Sequence, residues 1–177
     1  MMKKFLRTAL LAAAVLSLVS GCSLFASGGG DEDASGSTGG VKMTDSYTFE
    51  DPADLAFDTR YVLHCDENST FVSNAASYGV VGTYSILYEK DGAPAGDYEF
   101  FICDTAEHTQ GVIDLYAAQG TTLNAAEEDP CVVYAFTDGD TLEASIAMMQ
   151  GVGAIKDATV AAYADFMKGN TGAALVE

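Results

Sequence analysis

Beyond residue 45 the chain switches repeatedly between two hydrophobic periods. Thr59–Cys65 (TRYVLHC) places Tyr61 and Leu63 on one face and Val62 and His64 on the other, the two-residue period of a strand. Residues 80–89 repeat that pattern with Tyr84, Ile86 and Tyr88 aligned. Across the turn-rich segment 91–96, residues 98–103 (YEFFIC) complete a hairpin. Residues 132–136 predict a central strand, and residues 47–49 a short edge strand stopped by Asp51-Pro52. The helical period fills the intervals. Phe71, Val72, Ala75 and Ala76 mark a short helix ended at Gly79, and Val112, Ile113 and Tyr116 mark one capped at Asp104-Thr105 and stopped at Gly120. Leu142, Ile146 and Met149 follow a cap at Asp140 or Thr141, with Gly151 and Gly153 as breakers. Val160, Tyr163, Ala164 and Met167 follow a cap at Asp157 and end at Lys168-Gly169.

In order, residues 59–137 read strand, helix, strand, strand, helix, strand, and two more helices follow. This succession predicts an α+β domain over residues 45–177, with a ferredoxin-like (βαββαβ) mixed sheet and two additional C-terminal helices. Two crossover helices would cover one sheet face. The C-terminal pair would cover part of the other face or an edge.

The first 44 residues have a different composition. Lys3, Lys4 and Arg7 precede an apolar stretch over residues 8–19, which is shorter than the roughly 20 residues of a membrane-spanning helix. The run Leu18-Val19-Ser20-Gly21-Cys22 resembles the lipobox of bacterial lipoproteins. That resemblance covers the N-terminal segment only. It implies a signal peptide over residues 1–21, cleavage before Cys22, and a diacylglyceryl/acyl lipid such as palmitate on Cys22. The protein would then be held on the cell membrane, facing the extracytoplasmic side. Residues 22–44, with Gly28-Gly29-Gly30 and Asp31-Glu32-Asp33, form a Gly/Ser/acidic tether that offers almost nothing to bury. Its reach as a coil is roughly 25 Å.

Charge narrows the partners. The 177-residue chain carries a net −18, and without the leader five basic residues face 26 acidic ones, about −21. Nucleic-acid binding needs clustered Lys or Arg, which Lys42, Arg60, Lys90, Lys156 and Lys168 do not supply. Anionic head groups repel such a chain too, so the lipid must provide the hold on the bilayer. What remains is a protein or small-molecule partner of unspecified identity.

The candidate chemistry lies in Cys65, Cys103, Cys131, His64 and His108. The expected sheet sets the first strand beside a parallel third and an antiparallel fourth, which brings all three thiols to one end, near His108. Three states fit: a disulfide with Cys65 as the shared member, reduced core thiols, or a Cys65/Cys103/Cys131/His108 metal site lacking C-x₂-C spacing. A Cys103–His108 pair would suit a thiol-redox enzyme or hydrolase, yet no family signature surrounds it. Thr137-Asp138-Gly139-Asp140 lacks the ligand spacing of a calcium loop, and Gly151-Val152-Gly153 lacks the glycine pattern of a dinucleotide site. No motif calls for a catalytic residue or a cofactor beyond the lipid. The sequence therefore points to a membrane-anchored binding or interaction module, with the thiol enzyme as the alternative.

Overall fold

The computed structural model describes residues 42–43, 49–126 and 129–176. The leader, Cys22, most of the tether, and Tyr47 and Thr48 of the expected edge strand lie outside the described residues. Two-residue strands β1 (Lys42–Met43) and β2 (Phe49–Glu50) pair antiparallel. The main sheet comprises β3 (Thr59–Cys65), β4 (Val80–Lys90), β5 (Ala93–Cys103), β6 (Asn124–Ala125), β7 (Val132–Asp138) and β8 (Ala174–Leu175). Its order is β6-β7-β5-β4-β3-β8, and every neighbouring pair is antiparallel.

The α+β class is as expected, but the ferredoxin-like mixed sheet is not. The first long strand, β3, pairs with the second, β4, which separates it from the third, β5. A physical cause lies in the β3–β4 connection. Its helix α1 (Thr70–Ala75) and the 3₁₀ turn Ala76–Tyr78 that continues it rise about 15 Å together, against roughly 23 Å for seven residues of strand. So short a helix cannot carry the chain back along the sheet, and the link reverses it instead. Gly79, at φ 76°, makes the final left-handed turn into β4.

The β4–β5 hairpin is tighter than the sequence suggested. Asp91 (φ 52°) and Gly92 (φ 81°) form the whole turn, the positive-φ pair of a two-residue hairpin loop, and pairing resumes at Lys90↔Ala93. Pro94 is tolerated inside β5 because the β7 ladder begins only at Gly96. Hence β4 and β5 are the central strands, and β7, expected there, lies one strand from the edge.

Helices α2 (Ala106–Ala117), α3 (Gly139–Gly151) and α4 (Val160–Thr171) join α1 on one sheet face. Their buried side chains, among them Phe71, Val112, Tyr116, Leu142, Ile146, Val160 and Tyr163, form one core with Leu63, Leu87, Phe101 and Val133 of the sheet. The expected division of helices between two faces is therefore corrected: all four share this one. The caps are Ser69, Thr105, Asp138 and Thr159, each accepting a backbone N–H three residues on. Asp138 and Thr159 replace the expected Asp140/Thr141 and Asp157. The opposite face is aromatic and also buried, with Tyr84, Ile86, Tyr88, Tyr98 and Phe100 in a second core against which Leu55 and Phe57 pack. Asp51 fastens the segment that brings Leu55 and Phe57 there, pairing with Arg60 and accepting the Tyr88 hydroxyl at 3.0 Å.

Candidate functional site

All three domain cysteines lie at one end of the sheet, but not in the expected neighbourhood. Cys65 closes β3 opposite Thr83 of β4, while Cys103 closes β5 and Cys131 immediately precedes β7. With β4 between them, Cys65 and Cys103 are two strand spacings apart sideways, about 9.5 Å, and Cys103 lies two residues beyond Phe101, which is level with Cys65, so they are beyond the roughly 7 Å that a disulfide can bridge. Cys65 is thus not the shared member of a disulfide pair. Cys103 and Cys131, by contrast, are immediate neighbours: the Cys103 N–H donates to the Cys131 carbonyl at 2.8 Å. All three thiols are free. Cys65 and Cys103 are buried in the helix-side core, and burial pushes the Cys103 thiol up despite a hydrogen bond with Thr109.

His108 does not join them. It occupies the first turn of α2, where its N–H donates to the capping Thr105 hydroxyl and its ring Nδ1 meets Asp104 Oδ1 at 2.5 Å. The histidine partner holds the Asp104 carboxyl below its usual range. The ring also lies over Gly79, leaving no room there for a Cβ. Gly79 in turn accepts the Asp104 N–H at 2.9 Å. This is a lock between the α1 exit and the start of α2. His64 is on the other sheet face, stacked on Tyr84 with centroids 4.3 Å apart, and burial lowers its pKa. The third alternative, a metal set of Cys65, Cys103, Cys131 and His108, does not assemble: among the described residues no three His, Cys, Asp or Glu side chains converge to hold an ion.

Sequence reasoning missed a second constellation. Asp97 and Glu99 alternate with Tyr98 and Phe100 along β5, so both point to the helix-covered side, in line with Phe101 and Cys103. They are 6% and 8% exposed beneath α3, which lies over β5. Ser85 and Ala135 flank Glu99 across the sheet, and Leu87 and Thr137 flank Asp97. Asp97 Oδ1 has no hydrogen-bond partner. Burial pushes Asp97 up to about 7, and burial together with the Asp97 charge pushes Glu99 well above its ordinary value. The pair therefore tends to keep protons that exposed carboxyls release. The available signal was the Asp-x-Glu spacing inside a strand whose other face is already aromatic: a central strand covered on both sides must bury both acids.

The described surface also has a small, shallow groove between α1 and α4. Phe71, Phe166 and Met167 line it with Thr70, Asn74, Asn170 and Thr171, and none of these seven side chains is charged.

No family model, curated protein or solved structure matches this chain.

Proposed function

We propose that this chain is a lipid-anchored extracytoplasmic protein whose folded domain acts as a non-catalytic binding or interaction module. The anchor rests on the lipobox-like run ending at Cys22. The reading of the domain rests on one observation: Asp104, not Cys103, engages His108. The two residues best suited to nucleophilic catalysis are thus employed separately, Cys103 in the core and His108 as a helix lock. The α1–α4 groove is the surface best suited to a ligand. It is small, and its uncharged polar rim over an aromatic floor fits a neutral, partly apolar group such as a single side chain of a partner. A tether of a few nanometres would hold that groove at high effective concentration near other occupants of the membrane face.

Two measurements test the reading. Cells fed an alkynyl fatty acid should label the wild-type protein and not its Cys22→Ala variant. Recovery of an unlabelled, uncleaved chain from the cytosol would overturn the anchor. Purified protein offered a glutathionylated peptide should show no Cys103-dependent multiple turnover. Turnover abolished by Cys103→Ser or His108→Ala would establish the thiol enzyme instead.

A further inference from the structure

The β5–β7 register assigns a covalent site. Pairing runs without a shift from Gly96↔Asp138 to Ile102↔Val132, so one further step sets Cys103 directly opposite Cys131. The 2.8 Å bond from the Cys103 N–H to the Cys131 carbonyl extends the ladder by one of the two bonds such a pair can make. Directly opposed Cα atoms in antiparallel strands are about 4.5–5.5 Å apart, within the disulfide range. Alternation puts both side chains on the helix-covered face, since Phe101 and Val133, the preceding opposed pair on that face, belong to its core. Cys131 donates its own N–H to the Asp129 carboxylate at 2.8 Å, which fixes the backbone at the mouth of the pair.

We infer that Cys103 and Cys131 form an intramolecular disulfide across β5 and β7 when a low-molecular-weight disulfide is the oxidant, and that Cys65 stays a thiol. Exposure orders the steps. Cys131 is half-buried and Cys103 is 3% exposed, so the oxidant meets Cys131 first. The Cys131 thiolate attacks one sulfur of the oxidant, forms a mixed disulfide and expels one small thiolate. The Cys103 thiolate then attacks the Cys131 sulfur and expels the second. Two protein thiols are oxidised and one small disulfide is reduced to two thiols, which take up the two protons released by the cysteines. The bond would tie the end of β5, just before α2, to the start of β7, and so close the loop containing α2 and β6.

The test uses the full chain with Cys22→Ala, treated with oxidised glutathione and analysed by intact mass and peptide mapping without reduction. The expected product has lost two hydrogen atoms, joins the Cys103 and Cys131 peptides, and leaves one of the three domain thiols free to alkylate after unfolding. In the Cys103→Ser variant, glutathione should remain on Cys131. In the Cys131→Ser variant, Cys103 should stay unmodified while the chain is folded, with far-UV circular dichroism reporting the fold of each. A crosslink containing Cys65 would overturn the inference. So would a stable glutathione adduct on Cys131 when Cys103 is present and the chain is folded.

Discussion

Replacing Asp97 by Asn should change how the stability of the domain depends on pH, and the size of the change follows from burial. The Asp97 carboxyl is 6% exposed under α3, with Leu87 and Thr137 as its cross-strand neighbours and Glu99 as a second acid two residues along. Burial raises its folded-state pKa from the ordinary 3.8 to about 7. As pH rises, the unfolded chain releases this proton first, so the contribution of Asp97 to stability falls from about pH 4 until the folded group ionises near 7. At about 1.4 kcal/mol per unit, the loss is roughly 4 kcal/mol, a large share of the 5–15 kcal/mol that holds an ordinary domain. Urea unfolding of wild type and Asp97→Asn at pH 4 and pH 8 reads the effect. The two should agree within about 1 kcal/mol at pH 4, because the amide replaces a neutral acid of the same shape. At pH 8 the variant should be the more stable by roughly 3–4 kcal/mol. A smaller slope should survive in the variant, since burial alone still raises Glu99. Parallel curves for the two proteins, or wild-type stability that rises relative to the variant between pH 4 and 7, would refute the buried-acid argument.

Two glycine substitutions test the close contacts that set the fold. Gly79→Ala meets a left-handed backbone and the His108 ring together; a loss of about 2–4 kcal/mol in urea unfolding is expected. Adding His108→Ala should recover the steric part and leave the roughly 1–2 kcal/mol backbone penalty. Additive losses in that cycle would mean the ring does not occupy the space over Gly79. Gly139→Ala would bring a Cβ to 2.6 Å from the Pro94 carbonyl oxygen, backbone against backbone at the β7–α3 junction. A loss of about 1–3 kcal/mol is expected, and an unchanged thermal midpoint would show that the junction can yield.

The elements themselves were largely legible because their signals are local. The two-residue period located β3, β4 and β5, and the apolar stripes located all four helices. What failed depended on length and on contacts distant in sequence. Phe71 to Ala76 read as a helix, but its brevity, not its existence, decides that β4 returns beside β3. Asp91-Gly92 was legible as a turn, yet Pro94 obscured that the strand restarts at Ala93. β6 and β8, of two residues each, are too short to show any period. They exist through their pairing with β7 and β3.

The candidate site divides along the same line. Strand direction alone decides which chain positions meet at a sheet end. Cys65 and Cys103 close strands that run the same way, and Cys131 opens one that runs oppositely, so their gathering at one end was within reach of the sequence. Which of them touch depends on strand order, and the β4 insertion between β3 and β5 removes Cys65 from the pair and leaves Cys103 with Cys131. The carboxyls required one more fact, that a sheet face is covered, which no local pattern carries. Once α3 is placed over β5, the row Asp97, Glu99, Phe101, Cys103 becomes one buried line, from two proton-holding acids to a thiol facing its partner. Because that line faces the helix layer, neither the acids nor the thiol can be exposed without displacing the helices packed over β5. Their chemistry should therefore report on the packing of α3 and the integrity of the β5–β7 ladder before it reports on any ligand.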